Sequence, residues 1–353
     1  MESQFRANLV SPRNVSYSGK LTATTFPSPW VQAESTPSPS ARDSSAAVYD
    51  PDSSRVILFG GSGDNGQLND LWVWDGHSWE DLTPDPLPAS WPSARSSACI
   101  VYDSSEQRVL LFGGADTDGN RNDLWVWEAG EQAWYNVTPD PLPASWPSAR
   151  SEAGLVEVQA AGGFLLFGGS GSGDPLQDLW LLESGMFEWT NVTPSTLPGE
   201  WPSGRTGHLF TALGPSSEVL LFGGYNNCGA LGDTWLLNAS GGQYAWSLQE
   251  TPLHLTPRFS SSAAYDSANG RIVLFGGIDG NYLNDTWTWS SSTGWSSFTP
   301  PAPYDWSQPN IRCASVMAYN AQSMQLVLFG GVFGTLAFSA ELGDTWTWTV
   351  AAK

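Results

Sequence analysis

The chain has 353 residues, of which 41% are apolar and only 14% are charged, a composition that excludes a disordered polypeptide and leaves little material for solvated helices. Its 37 glycines, 25 prolines and 20 tryptophans favour many short strands joined by tight turns. The net charge of −21, with only two lysines, Lys20 and Lys353, argues against nucleic acid or an anionic membrane surface as a partner.

The segment from Met1 to Pro29 is rich in Ser, Thr and Asn and belongs to none of the repeats that follow. It has no apolar h-region, and no stretch of the chain approaches 18 apolar residues, so the sequence predicts neither an intact signal peptide nor membrane insertion. A strand is predicted from Lys20 to Phe26. We interpret residues 1–29 as an N-terminal extension, with three alternatives open: a tail, a linker, or a strand that docks on a neighbouring molecule.

From residue 59 onward, Phe-Gly-Gly occurs six times at intervals of 53 to 55 residues. Each copy follows an apolar run and precedes a polar loop that ends in Asp-Leu-Trp or Asp-Thr-Trp, which indicates a strand, a turn and a strand. A further strand carries a Trp, and a proline-rich loop then leads to an Arg and the next repeat. Each repeat therefore predicts four strands. The copies begin at Phe59, Phe112, Phe167, Phe222, Phe275 and Phe329.

The double glycine, the downstream Trp and the period near 50 resemble the kelch repeat. The resemblance covers residues 30 to 350 and implies an all-β fold, a six-bladed β-propeller of four-stranded antiparallel blades. We accordingly assign residues 30–353 to one propeller domain that follows the extension.

One tryptophan precedes the first complete repeat and predicts how the ring closes. Five repeats have a Trp in the fourth strand, whereas the sixth repeat ends at Val350 without a fourth strand of its own. We infer that the segment around Trp30 supplies this strand and pairs with the C-terminal blade, which removes open sheet edges. The other fourth-strand tryptophans are Trp79, Trp134, Trp189, Trp246 and Trp295.

Two ionic positions also recur once in each repeat. An Arg precedes the first strand and an Asp precedes the third, and we predict that they form bidentate ion pairs on one rim. Six equivalent copies favour an architectural role over a ligand clamp. The arginines are Arg42, Arg95, Arg150, Arg205, Arg258 and Arg312, and the aspartates are Asp70, Asp123, Asp178, Asp233, Asp285 and Asp344.

Four further tryptophans lie in loops that we assign to one face of the ring, the upper face. Trp91, Trp146 and Trp201 each begin Trp-Pro-Ser, and Trp306 lies in a corresponding loop. An exposed Trp on a proline-stiffened loop is suited to stacking on a sugar or anchoring a protein partner, so the four are candidate binding residues. The alternative, which near-identical loop copies favour, is that each Trp covers the neighbouring blade.

The loop from Val332 to Gly343 in the last repeat is longer and more apolar than its counterparts. Its Phe333, Leu336 and Phe338 are costly to leave in water. We expect them to plug the central channel or, as the second interpretation, to contact a partner.

The fourth repeat concentrates side chains that bind metals. His208, Tyr225, Cys228 and His254 all map to the upper face, and related residue types surround copper in the kelch-like galactose oxidase family. The similarity stops at residue types, so His208, Cys228 and His254 are candidate copper or zinc ligands for an alternative function as a metal-dependent oxidoreductase. A calcium loop at Asp116 to Asn120 is a weaker candidate, because no bidentate Glu follows at the usual distance. We expect no cofactor.

Cysteines and glycosylation motifs bear on the compartment. Cys99, Cys228 and Cys313 permit one internal disulfide at most, so the chain is not a disulfide scaffold. Five Asn-x-Ser/Thr motifs are compatible with an extracellular glycoprotein, although two of them recur with the repeat itself. The five are Asn14, Asn136, Asn191, Asn238 and Asn284.

These features favour a non-catalytic scaffold, outside the cell or on its surface, that binds protein or carbohydrate through the upper face. One alternative is a structural subunit of an extracellular filament or coat that self-assembles through the N-terminal extension. The oxidoreductase is the other. The sequence contains no hydrolase or nucleotide-binding motif that we recognise.

Overall fold

A computed structural model describes residues 29–252, 255–298, 308–335 and 338–349. Within these ranges the only helical element is a single 3-10 turn, Gln159–Ala161. The strands form six four-stranded antiparallel sheets and three two-stranded hairpins. The protein is therefore an all-β, six-bladed propeller, as the repeats predict.

In chain order, the strands are β1 (Trp30–Ala33), β2 (Ala46–Asp50), β3 (Arg55–Gly63), β4 (Gly66–Trp74), β5 (Trp79–Asp81), β6 (Cys99–Asp103), β7 (Arg108–Phe112), β8 (Ala115–Asp116), β9 (Gly119–Asn120), β10 (Leu124–Glu128), β11 (Ala133–Asn136), β12 (Gly154–Val158), β13 (Gly163–Phe167), β14 (Leu179–Glu183), β15 (Trp189–Asn191), β16 (Leu209–Ala212), β17 (Glu218–Phe222), β18 (Tyr225–Asn226), β19 (Gly229–Ala230), β20 (Thr234–Ser240), β21 (Gln243–Gln249), β22 (Ser262–Asp266), β23 (Arg271–Phe275), β24 (Thr286–Ser290), β25 (Gly294–Ser297), β26 (Val316–Asn320), β27 (Gln325–Phe329), β28 (Val332–Thr335), β29 (Phe338–Glu341) and β30 (Thr345–Thr349). From the channel outward, blades 1 to 6 are β2-β3-β4-β5, β6-β7-β10-β11, β12-β13-β14-β15, β16-β17-β20-β21, β22-β23-β24-β25 and β26-β27-β30-β1.

The core lies between blades. The second strand of each blade is an apolar run such as Val56 to Phe59 that is buried on both faces, because a neighbouring blade covers each side. Six buried clusters each join two successive blades, and one of them joins Phe329 of blade 6 to Trp74 of blade 1. The first strands also contact one another all round the channel, including β26 with β2.

Backbone hydrogen bonds repeat this circular arrangement at one end of the channel. Six residues with left-handed backbone, which we call the inner ring, each donate an N–H to the carbonyl of the equivalent residue in the preceding blade, at 2.7 to 3.1 Å. The bond from Ser44 to Ala314 joins the first blade to the last. The inner ring consists of Ser44, Ser97, Glu152, Gly207, Ser260 and Ala314.

The N-terminal strand completes the last sheet. β1 pairs antiparallel with β30, with Trp30 opposite Trp348 and Ala33 opposite Thr345, as the sequence predicts. Trp30 is 3% exposed and packs edge-on against Phe275 of blade 5. The other five fourth-strand tryptophans also contact the Phe of the preceding blade, in edge-on or tilted geometry, so Trp30 takes the position of the fourth-strand Trp in blade 6.

The glycine pair brings each blade against the next. Gly60 has φ +60°, and a Cβ on it would lie 2.6 Å from the carbonyl oxygen of Arg95 in blade 2. The N–H of Gly61 donates to this same carbonyl at 2.9 Å. Only a residue without a side chain permits both the left-handed conformation and so close an approach.

The predicted Arg and Asp pairs are all present. In each blade the Arg NH1 lies 2.5 to 2.8 Å from its Asp, and the Arg side chain is at most 1% exposed. The same Asp accepts a hydrogen bond from the Trp two residues later, as Asp178 does from Trp180 at 2.6 Å. Burial alone would raise the pKa of Asp178, but hydrogen bonds from Arg150 and the Arg150 charge lower it. The pairs fix the loops of each blade, which confirms their architectural role.

Candidate protein-binding face

The upper face carries the loops from fourth to first strands and from second to third strands, because neighbouring strands alternate in direction. The structure buries the three loop tryptophans here: Trp91 and Trp146 are 7% exposed and Trp201 is 8% exposed. Each packs against a Trp of the next blade, as Trp91 does on Trp127 at 5.9 Å. Each indole N–H donates to a backbone carbonyl of its own blade. The interpretation of these three as exposed stacking residues is therefore wrong, and the packing alternative is confirmed.

The buried tryptophans hold their loops in place, and a leucine in each of these loops remains exposed to solvent. Leu87, Leu142 and Leu197, each followed by Pro, are 43%, 45% and 37% exposed. They occupy equivalent positions in the loops that follow blades 1, 2 and 3. A leucine held on a proline-stiffened loop loses little entropy when a partner covers it. Trp306 lies outside the described residues.

The long loop of the last repeat forms the hairpin β28 and β29 on this face, where Val332 bridges to Cys313. Phe333 is half-buried. The backbone of Phe338 lies in β29, and Leu336 is outside the described residues. Among the described residues, none from this hairpin lines the channel mouth, so plugging of the channel stays a prediction.

An apolar crescent lies beside that hairpin. In each blade, the residue that follows the recurring Arg forms an isolated β-bridge with the residue that follows the glycine pair. In blades 1 to 3 these bridges join small or acidic residues, such as Asp43 and Ser62. In blades 4 to 6 the bridging residues are mostly large and apolar. Tyr225 is 45% exposed and its ring lies 5.0 Å from that of Phe259. We define the apolar crescent as Tyr225, Phe259, Ile278, Tyr282 and Val332, of which the last four are half-buried.

Sequence reasoning singled out Tyr225 and the last loop but missed Phe259, Ile278 and Tyr282. The signal was available in the repeat alignment: the residue after Phe-Gly-Gly is Ser, Ala or Ser in the first three repeats and Tyr, Ile or Val in the last three. A loop position that changes from small to apolar halfway round a ring indicates that the surface differs between the two sides of the ring.

The channel mouth at the centre of the upper face is lined largely by serine hydroxyls. Its walls include the inner-ring residues Ser44, Ser97 and Ser260, together with Ser45 and Glu152. Glu152 is exposed, is the one charged residue of the inner ring, and accepts a hydrogen bond from the Thr206 hydroxyl. The mouth therefore offers hydroxyls and a single carboxylate to a ligand.

Around the mouth the surface charge is negative. Every arginine among the described residues forms an ion pair, and both lysines lie outside the described residues. The carboxylates exposed in the upper loops of blades 1 to 3 include Asp64, Asp85, Asp118, Asp140 and Asp174. This half of the upper face attracts cationic groups.

The candidate metal ligands do not form a site in the part of the chain that the structure describes. His208 packs between Phe167 and Phe210, and burial together with the Arg205 charge lowers its pKa to about 3. Cys228 lies exposed at the tip of the β18 and β19 hairpin, and His254 is outside the described residues. No group of three His, Cys, Asp or Glu residues that could hold an ion occurs in the described ranges. Two carboxylates of the calcium candidate, Asp116 and Asp118, are instead paired with Arg121.

The structure also shows the state of the cysteines and the exposure of four glycosylation motifs. All three cysteines are free; burial raises the pKa of Cys99 and of Cys313 to about 12. Asn136, Asn191 and Asn238 are exposed, Asn284 is half-buried, and Asn14 is outside the described residues. The Asn136 side chain accepts from the Thr138 N–H, and the Thr138 hydroxyl accepts from the Leu124 N–H. These turn contacts explain why the motif recurs, and glycosylation stays a prediction.

No helix in the described residues is long and apolar enough to span a membrane.

Six blades of four strands, each with a buried Arg paired to an Asp and a glycine pair against the next blade, define a propeller of the kelch class. The KLHDC2/KLHL20/DRC7 Kelch-repeats domain family matches residues 20–214, more than half of the chain, and the chain belongs to this family.

The chain is also similar to parts of several longer proteins. The Rab9 effector protein with kelch motifs of Mus musculus is 26% identical over 181 residues, which are 50% of this chain and 44% of that protein. Tip elongation aberrant protein 1 of Schizosaccharomyces pombe is 30% identical over 208 residues, 54% of this chain and 17% of that protein. Acyl-CoA-binding domain-containing protein 5 of Arabidopsis thaliana is 27% identical over 241 residues, 66% and 35% of the two chains. The chain spans less than half the length of each.

Proposed function

We propose that this propeller is a non-catalytic scaffold that binds a protein partner through its upper face. The observation that carries the proposal is the division of this face into an apolar crescent over blades 4 to 6 and an acidic half with exposed leucines over blades 1 to 3. A partner segment with apolar side chains and Lys or Arg residues matches both halves. The name of the Rab9 effector, a kelch relative that acts on another protein, supports the same class of function.

The partner is a protein rather than a glycan in this proposal. The sugar-stacking interpretation rested on exposed tryptophans, and three of the four are buried. For the compartment we propose the cell exterior or surface, which the exposed Asn136, Asn191 and Asn238 motifs support. A shift in mass after glycosidase treatment of protein from its natural source tests this location, and unmodified asparagines at all three motifs count against it.

Selection of displayed random peptides on the immobilised propeller tests the binding face. We expect selected peptides to combine Lys or Arg with large apolar residues, and to bind at least ten-fold more weakly to a Tyr225→Ser, Ile278→Ser double variant. The matched control is a Met186→Ser, Met324→Ser double variant, which removes exposed apolar side chains from the opposite face. Peptides that bind both variants equally well, or a selection that enriches none, would overturn the proposal.

A further inference from the structure

The outer edge of blade 4 differs from the edges of the other blades. Its fourth strand, β21, has seven residues and pairs with β20 along its whole length. The other five fourth strands have three or four residues each. Since β21 ends the order of its sheet among the described residues, its outer backbone groups face no further strand.

Natural sheet edges are usually shortened or carry charges, which prevents pairing with another chain. The edge strand of blade 1 shows this, because it is only Trp79-Glu80-Asp81. β21 reads Gln-Tyr-Ala-Trp-Ser-Leu-Gln and, like the shorter outer strands of blades 2, 3, 5 and 6, contains no charge or proline. Leu248 within it is 60% exposed. Length, neutrality and an exposed leucine together leave this edge open to strand addition.

The order of residues in β21 suits antiparallel pairing with a second copy of the same strand. Read from either end, the strand is Gln, a large apolar residue, a small residue and then the central Trp246. When two copies pair antiparallel about Trp246, Tyr244 lies opposite Leu248 and Gln243 lies opposite Gln249. Such a pairing is two-fold symmetric, joins apolar to apolar and amide to amide, and sets no like charges opposite each other.

We propose that β21 is a dimerisation edge, at which a second copy of this chain adds its own β21 and the two blades form a continuous eight-stranded sheet. The pairing adds about six backbone hydrogen bonds across the two-fold axis. Because the chain has a net charge of −21, association through its acidic surfaces is unfavourable, and contact through an uncharged strand avoids placing carboxylates against one another. This inference is independent of the upper face, since β21 lies on the outer rim.

Analytical ultracentrifugation of the 353-residue chain over a concentration series tests the proposal. We expect a reversible monomer to dimer equilibrium that weakens at least ten-fold in Leu248→Lys. Val31→Lys is the matched control, because Val31 is 61% exposed on the outer strand of blade 6, and its dimer should be unchanged.

Hydrogen exchange gives a second readout that needs no substitution. Protection of the amides in residues 243–249 should rise with protein concentration, while the amides of the other outer strands stay unchanged. A chain that is monomeric at every concentration up to about 100 µM, or a dimer that Leu248→Lys leaves intact, would falsify the assignment. Such a failure leaves the peptide-binding result on the upper face unaffected.

Discussion

The indole of Trp30 packs edge-on against the ring of Phe275, with 5.5 Å between the ring centroids, although the two residues lie far apart in the chain. This contact and the pairing of β1 with β30 hold the N-terminal strand in blade 6, next to blade 5. The stability of the ring therefore depends on one residue outside the complete repeats.

Replacing Trp30 with Ala should lower the free energy of unfolding by about 3 to 5 kcal/mol, the range for loss of a buried Trp. Urea denaturation followed by circular dichroism measures it. Val31→Ala in the same strand removes an exposed side chain and should change stability by no more than about 0.5 kcal/mol. Equal effects of the two substitutions would contradict the role of Trp30 in the last blade.

Removing one Arg from its pair should be more costly than removing a surface Arg. Arg150→Gln leaves the carboxylate of Asp178 without its partner and should cost about 3 to 5 kcal/mol. Arg55→Gln breaks an exposed pair with Glu80 and should cost about 0 to 1 kcal/mol.

The same pair predicts a dependence on acid. The folded pKa of Asp178 is lowered below its unfolded value of about 3.9, so its stabilising contribution is present above that pH and is lost as the pH falls through the folded pKa. The wild-type chain should therefore lose this contribution below about pH 4. Denaturation of Arg150→Gln from pH 7 to pH 2.5 should show a smaller loss, and an unchanged acid profile would argue against the pair as its source.

His208 should make the fold sensitive to pH in a higher range. Burial lowers its folded pKa to about 3, below the unfolded value of about 6.5, so the unfolded chain takes up the proton first and stability falls as the pH drops from about 6.5. In His208→Ser, which carries the residue found at the equivalent positions 45, 261 and 315, this slope should disappear between pH 6.5 and pH 5. His77→Ser at an exposed position should keep the slope, and its persistence in His208→Ser would exclude His208 as the group responsible.

Two residues of the loop after blade 2 are expected to have different roles, one in packing and the other in binding. Trp146→Ala removes a buried indole and should lower stability by about 3 kcal/mol or more. Leu142→Ser, at 45% exposure, should leave the melting temperature within about a degree but weaken peptides selected on the upper face. A melting temperature that drops equally in both variants would show that Leu142 contributes to folding instead.

Much of the fold could be predicted from the sequence because the same motifs recur at a fixed spacing. The spacing of Phe-Gly-Gly predicted the number of blades, and the Arg and Asp positions that recur once in each repeat predicted the ion pairs. The missing fourth strand of the last repeat pointed to Trp30. These features recur at a fixed spacing because every blade meets its neighbour through the same contacts, so one repeat describes all six.

The solvent exposure of individual side chains could not be predicted from the repeats. Trp91, Trp146 and Trp201 have the surroundings of surface anchors in the sequence, yet each is covered by a Trp from the next blade, more than thirty residues further along.

The sequence by itself determined the six blades, their strands, the ionic pairs and the strand that joins the ends, since each depends on residues within one repeat or on its period. Only the tertiary structure decided which side chains meet solvent: Leu87 rather than Trp91, the apolar crescent from Tyr225 to Val332, and the open edge at β21. The physical reason is that burial depends on what a neighbouring blade places against a residue, and that neighbour is supplied by another part of the chain.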